Sequence, residues 1–278
     1  MTDAGRILVT GIGGALSDMV ARALRDAGHD VRGMSADPAA NAPDGVPITY
    51  VAPSDTSGLS TALQTVSRVF LDTNDVDVHR MTAALKAADL RSVVVLSSAV
   101  VELAAEFDVF GYRELETAVR SAGLTYTFLR PTDLSGNALR WAGQIKRGTV
   151  AAPYLDAYQE PVDEHDIVDA AVAALSEDRH HGRVYRLSGG QSLTRRELIR
   201  IVADAVGRPV EAIEQSPDEW RAAATAAGIP GPAADARLAT WSAAVGRPGR
   251  TDATITAVTG AVPRTFTVWA TAHRAEFT

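Results

Sequence analysis

The chain of 278 residues contains no cysteine. Disulfide bridges, thiolate nucleophiles and cysteine-ligated metal are therefore excluded, and an oxidising compartment has no visible claim on it. Lysine is nearly missing as well, with only Lys86 and Lys146, so positive charge falls on arginine. Acid exceeds base, with a formal net charge of −7 and a pI near 5.4. That balance argues against a sequence-independent nucleic-acid surface, and no nucleic-acid partner is expected. No apolar run is long enough to cross a bilayer: the most apolar stretch, Val93 to Ala105, is interrupted by Ser97, Ser98 and Glu102. The polar start, Met1 to Arg6, leads straight into a strand pattern, which predicts no signal peptide. A soluble, cytoplasmic protein without a membrane partner is the expectation. No histidine pair has ligand spacing with carboxylates, so no metal site is expected either.

What is present begins with Arg6-Ile7-Leu8-Val9-Thr10-Gly11-Ile12-Gly13-Gly14-Ala15-Leu16-Ser17. A short apolar run ends in a glycine-rich turn, and an amphipathic helix pattern follows through Val20, Ala21, Ala23 and Leu24. Strand, glycine turn and helix in that order suit a nucleotide phosphate: glycine admits close backbone approach, and the free N–H groups of a helix start attract negative charge. Ser17 stands at the third small-residue position of the turn.

The first half continues by alternation. Strands are predicted at Ile7–Thr10, His29–Met34, Ile48–Val51, Ser67–Leu71, Ser92–Ser97 and Thr125–Leu129. Helices are predicted near Ser17–Ala27, Leu59–Val66, Val76–Ala88 and Tyr112–Ala122. Single helices between short strands imply right-handed crossovers and an α/β, doubly wound parallel sheet. The second half changes character. A helix over Asp166–Ser176 capped by Asp166, a strand at Arg183–Leu187 and two capping boxes, Thr194–Glu197 and Ser216–Glu219, are predicted. Gly228–Ala234 reads as a break, followed by a short helix over Arg237–Val245. This places a dinucleotide-binding core over residues 1–150 and a small, mostly helical C-terminal substrate lobe over 151–278, interleaved with the core.

With Leu129-Arg130-Pro131 a family comes into view. The chain resembles the NmrA-like, atypical short-chain dehydrogenase/reductase group. The resemblance rests on the Thr10-Gly11-x-x-Gly14 turn, Val69-Phe70-Leu71, Leu96-Ser97-Ser98-Ala99 and Tyr126-Thr127-Phe128-Leu129-Arg130-Pro131. Pro161-Val162-Asp163 with Asp166-Ile167, and the Gly182–Leu187 strand, continue it. It implies a Rossmann-like fold that binds NADP or NAD at the C-terminal edge of the sheet, NADP being the commoner choice. Thr10, Gly11, Gly13 and Gly14 would then meet the pyrophosphate. Thr73, Ser97 and Ser98 would approach the nicotinamide, and Arg130 and Pro131 would shape its far edge.

Three departures stand against that pattern. Ser35 occupies the place of the arginine that pairs with a 2′-phosphate, and a hydroxyl cannot supply that charge-assisted bond. Pro53 replaces an aspartate expected beside the adenine. In the Tyr-x-x-x-Lys pair, counted back from Glu116, Tyr112 takes the lysine position and Asp108 the tyrosine position. Acid groups gather instead: Asp72 and Asp75 around Thr73-Asn74, and Asp133 after Arg130-Pro131-Thr132. Paired carboxylates can be driven apart in pKa and act as acid and base.

The leading expectation is an oxidoreductase that passes hydride from NAD(P)H to a small hydrophobic carbonyl, quinone or enone. Tyr112, Ser98 or water would donate the proton. A redox-neutral enzyme (isomerase, cyclase or dehydratase) using Asp72, Asp133 and Tyr112 is the alternative, with a non-catalytic NAD(P) sensor as a third. An alanine- and arginine-rich composition suggests a GC-rich bacterial genome, where such scaffolds serve biosynthesis.

Overall fold

The computed structural model describes residues 5–72, 77–103 and 105–278. Its strands are β1 (Arg6–Val9), β2 (Val31–Ser35), β3 (Ile48–Tyr50), β4 (Val66–Leu71), β5 (Ser92–Leu96), β6 (Tyr126–Pro131), β7 (Asp133–Leu134), β8 (Thr149–Ala152), β9 (Tyr158–Gln159), β10 (Pro161–Val162), β11 (Arg183–Leu187), β12 (Leu193–Thr194) and β13 (Glu211–Glu214). Its α-helices are α1 (Ala15–Asp26), α2 (Thr56–Ala62), α3 (Val78–Ala87), α4 (Tyr112–Ser121), α5 (Ala142–Lys146), α6 (Glu164–Ser176), α7 (Arg195–Val206), α8 (Pro217–Ala226), α9 (Gly231–Ala244), α10 (Thr254–Thr259) and α11 (Phe266–Ala272).

The chain divides into two compact units: residues 5–98, 111–130 and 167–186 form the first, and 99–110, 131–166 and 187–278 the second. Both draw on segments either side of residue 150. The first unit holds a seven-stranded sheet in the order β11-β6-β5-β4-β1-β2-β3, and its registered pairs from β3 through β6 are parallel. This is the doubly wound α/β fold that the alternation predicts. The chain leaves β1 toward β2 and β3, then crosses back to place β4 on β1's other side. A ligand crevice opens beyond the carboxyl ends of strands at such a reversal.

The central strands are buried on both faces, which explains their unbroken apolar runs: Val93, Val94 and Val95 are fully buried. Leu8, Val69, Leu71, Val95 and Phe128 join Met81, Leu85, Leu115 and Val119 from α3 and α4 in one core cluster. The amphipathic α1 turns Val20, Ala21 and Leu24 inward. Gly33 in β2 is a close-approach glycine, since a Cβ there would stand 2.7 Å from Ile12 Cγ1.

The second unit is built from short strand pairs, β7 with β10, β9 with β12 and β8 with β13, and from helices α7 and α11. Its core gathers Ile145, Val150, Leu198, Val202, Phe266, Trp269 and Phe277.

Three local expectations are corrected. The helix predicted at Leu59–Val66 is α2, which starts earlier because the Asp55 side chain accepts the Gly58 N–H, and which ends before Thr65 turns at φ 64°. Asp166 does not cap α6. Asp163 does, its Oδ1 accepting the His165 N–H at 2.9 Å, while Asp166 pairs with Arg264. The break expected through Ala234 is shorter, since α9 begins at Gly231 with a proline in its first turn, where the missing N–H costs nothing.

Candidate functional site

In the first unit the chain leaves β1 through Thr10 and enters the glycine turn. Gly11 lies at φ +72°, and a Cβ there would meet Asp72 Cβ at 3.0 Å and Ser17 Oγ at 3.1 Å. Gly13 lies at φ +99°, where a Cβ would stand 2.9 Å from Ala40 Cβ. Gly14 caps α1 with no side-chain hydrogen bond, so the positive end of a 12-residue helix faces outward without an internal acceptor from its cap. Asp18 Oδ1 accepts the Gly13 N–H at 3.0 Å. The turn forms one wall of a cleft of about 610 Å³, closed by the segment after β2, by Val51-Ala52-Pro53 and by Leu59 and Met81.

Ser17 and Asp72 turn out to be one feature. Ser17 Oγ donates to Asp72 Oδ2 at 2.8 Å. Thr10 Oγ1 accepts the Asp72 N–H at 2.9 Å and donates to its carbonyl at 3.2 Å. All three residues are buried. A buried aspartate needs donors, and the serine in place of glycine supplies one. The latch ties the turn to the end of β4. Thr73, Asn74 and Asp75 lie outside the described residues.

Beyond β2, Ser35 is buried and its Oγ accepts the Asp37 N–H at 3.2 Å, while Asp37 Oδ1 accepts the Ala39 N–H at 2.8 Å. Ser35 and Asp37 line the cleft, and among its described lining residues none is arginine or lysine.

Ser97 and Arg130 meet on Glu116, which is 1% exposed. Ser97 Oγ donates to Oε1 at 2.6 Å. Arg130 grips the carboxylate in bidentate fashion, Nε to Oε1 at 2.8 Å and Nη2 to Oε2 at 2.6 Å, and Arg120 Nη2 lies 3.1 Å from Oε2. Burial pushes the Glu116 carboxyl up, but the Arg130 and Ser97 hydrogen bonds and the two guanidinium charges outweigh it and hold the group below the usual carboxylate range. Tyr112 opens α4 after Gly111, in the left-handed region at φ 74°, and is half-buried, as is Ser98.

Asp133 and Pro131 belong to the second unit. Asp133 Oδ1 accepts from Asn137 Nδ2 at 2.6 Å and Oδ2 from Gln159 Nε2 at 2.8 Å. Burial raises its carboxyl, opposed by the Asn137 hydrogen bond and by the charges of Arg195, Arg140 and Arg237. Asp72 and Asp133 thus each have their own partners, one in each unit. Sequence reasoning passed over Glu116, used only as a landmark, and Arg195, hidden inside a capping box. Glu116 had a signal: an acid facing inward at Leu115-Glu116-Val119 on α4 needs a buried cation.

The chain belongs to the NmrA-like family, whose model matches residues 3–230. It is 38% identical, over 98% of its length and 99% of the relative's, to the (4-alkanoyl-5-oxo-2,5-dihydrofuran-3-yl)methyl phosphate reductase of Streptomyces griseus subsp. griseus. It is 31% identical to the NAD(P)H azoreductase of Xenophilus azovorans over 59% of this chain and 58% of that one. Among solved structures, the NADPH-dependent quinone oxidoreductase of Escherichia coli superposes with a TM-score of 0.83 at 22% identity, covering 96% and 98% of the two chains. The Citrobacter sp. triphenylmethane reductase complexed with NADP(H) gives 0.80 at 20% identity, covering 95% and 99%. These two likenesses show the fold.

Proposed function

We propose that the protein is an NAD(P)H-dependent reductase of a small conjugated carbonyl compound. The observation that carries this reading is the glycine cradle of the first unit: Gly11 and Gly13 sit where a Cβ would collide, beside a helix start with no side-chain cap. The first N–H groups of α1, left without a side-chain cap, and a turn packed so tightly that Gly11 and Gly13 admit no Cβ fit a pyrophosphate. The Streptomyces griseus relative, matched end to end, is named for a 5-oxo-2,5-dihydrofuran bearing a 4-alkanoyl group and a methyl phosphate on the neighbouring carbon, an alkene conjugated to two carbonyls. The same class of acceptor is the substrate proposed here.

When bound in this cleft, a reduced nicotinamide would supply hydride for the β-carbon of such an alkene. The chain's own residues do the rest. Thr10, Gly11, Gly13 and Gly14 hold the pyrophosphate, with the Ser17–Asp72 latch fixing the turn. Ser35 and Asp37 face the adenosine ribose, and a lining without arginine or lysine among the described residues suits a 2′-hydroxyl at least as well as a 2′-phosphate. Glu116 fixes Arg130 and Ser97 in place, so these two act as a rigid edge rather than as mobile ligands, with Ser98 next to Ser97 on the nicotinamide side. Tyr112, Ser98 or a water delivers the proton to the α-carbon, which completes addition of two hydrogens across the double bond. The buried Asp72 carboxylate accepts from Ser17 Oγ, which weighs against its use as an acid–base group in a redox-neutral reaction.

Calorimetric titration with NADH and NADPH, followed by absorbance at the reduced-nicotinamide band with an acylated butenolide, tests the reading. Micromolar binding and butenolide-dependent oxidation are expected. Failure of every nicotinamide nucleotide to bind would sink it.

A further inference from the structure

The second unit holds a buried cation that forms no ion pair among the described residues. Arg195 is 3% exposed, and its Nε is buried with no hydrogen-bond partner. Its guanidinium lies instead against two aromatic faces, 3.8 Å from the Trp241 ring centroid and 5.6 Å from that of Trp141. Burying a guanidinium without a carboxylate is costly, and cation–π contact recovers only part of the loss. Arg195 is also the first residue of α7, a helix of 12 residues, so it faces the positive end of that helix, where an anion belongs and a cation does not. Burial depresses its pKa to about 10, opposed by Asp133 and Glu214, which leaves it charged at neutral pH.

Two further arginines share the place. Arg237 stands one turn before Trp241 on α9, on the same face, and its Nη1 is likewise buried without a partner. Arg140 precedes Trp141 on the turn of helix Ser135–Trp141, is exposed, and its charge acts on both Arg237 and Asp133. Gln159 of β9 bonds to Asp133, and β9 pairs with β12, whose last residue, Thr194, caps α7 beside Arg195. Three guanidinium groups therefore converge on one carboxylate, which already takes hydrogen bonds from Asn137 and Gln159. Even with Glu214 acting on Arg195, positive charge is in surplus.

We infer that Arg195, Arg237 and Arg140 seat a phosphate monoester group carried by the substrate. A phosphate monoester matches the sign of the surplus and offers the oxygen acceptors that the unpartnered Arg195 and Arg237 N–H groups need, and the aromatic walls of Trp141 and Trp241 keep those bonds out of bulk water. The assignment of the anion to the substrate rests on the reductase reading; the seat itself does not.

The test uses phenyl phosphate as probe, with tryptophan fluorescence as readout, on the full chain and on the variants R195M and R140Q. Saturable binding is expected for the wild type, weakened about 10- to 100-fold in either variant, as loss of charge-assisted hydrogen bonds implies. R195M should also melt at a higher temperature than the wild type, because methionine fills the volume without the unpaired charge. R140Q, altered at an exposed position, keeps the test alive if R195M fails to fold. Unchanged affinity in a folded variant would overturn the proposal. So would equal binding of benzoate, which would make this a carboxylate seat. If R195M lowered affinity for NADPH but not NADH, the anion would be the cofactor's own phosphate and the proposal would fall. NADH binding in the same samples reads the reductase proposal separately, since loss of phenyl phosphate binding with NADH binding intact would indict the seat alone.

Discussion

Replacing Glu116 by glutamine keeps the side-chain shape and removes the charge on which Ser97, Arg130 and Arg120 converge. Arg130 is the partner that suffers. Its side chain is 16% exposed against 2% for Glu116, so after the change it holds a largely buried charge beside a neutral amide. Breaking a buried pair on one side costs about 3–5 kcal/mol. The residual exposure of Arg130 and the greater exposure of Arg120, 40%, favour the lower end, about 3 kcal/mol. For a chain of this size each kcal/mol shifts Tm by about 2–4 °C, so E116Q should melt roughly 6–12 °C below the wild type at pH 7. The pH dependence gives a sharper check. The Glu116 carboxyl is held below its ordinary value of 4.5, so its stabilisation is fully present above that value and is lost as pH falls through the folded-state pKa. The gap between wild type and E116Q should therefore stay constant from pH 8 to about pH 5.5 and close progressively below about pH 4.5. Melts followed by circular dichroism across that range measure it. A gap that is small at pH 7, or one that does not narrow in acid, would refute the reasoning.

Other consequences follow from the cofactor cleft. G11A places a Cβ at φ +72°, 3.0 Å from Asp72 Cβ; the strain is about 1–2 kcal/mol, and NADH affinity should drop at least about tenfold by calorimetry, so undiminished binding would contradict the cradle. D72L leaves the buried Ser17 hydroxyl without its acceptor at a cost of about 1–3 kcal/mol, while adding S17G should recover most of it; additive losses in urea unfolding would show that the two are not coupled. D18N removes a first-turn charge that competes with pyrophosphate for the Gly13 N–H and should tighten cofactor binding about 2- to 5-fold, an effect that weaker binding would rule out. S35R should shift the NADPH-to-NADH affinity ratio upward by at least about tenfold; a wild type that already prefers NADPH by that margin would mean a cation reaches the 2′-position from outside the cleft lining.

Much of the frame could be read before any coordinates. The alternation of Val/Leu runs with amphipathic segments is a local property, and buried parallel strands must be apolar on both faces, so the sheet and its order of elements were accessible. The glycine turn carried its own meaning for the same reason, since only glycine tolerates the positive φ and close contacts at Gly11 and Gly13. What escaped was pairing at a distance. Ser17 was read as a small residue of the turn and Asp72 as one of a group of acids, yet 55 residues apart they form one hydrogen bond. Glu116 and Arg130, 14 apart, were read separately, one as a landmark and one as a cofactor contact. Arg195 was invisible because its sequence neighbours, Thr194 and Glu197, announce a helix start and nothing about Trp141 or Trp241. Boundaries slipped where a side chain chose the cap, as Asp163 did in place of Asp166.

The central claim is hydride transfer from a bound nicotinamide to a conjugated alkene. It is tested most directly by incubating the protein with NADH or NADPH carrying deuterium at both C4 positions of the nicotinamide and with an acylated butenolide, then locating the label in the product by mass spectrometry and NMR. The account predicts one deuterium at the β-carbon of the saturated lactone, with one oxidised cofactor formed per product. An unlabelled product, or a product formed equally without nucleotide, would contradict it.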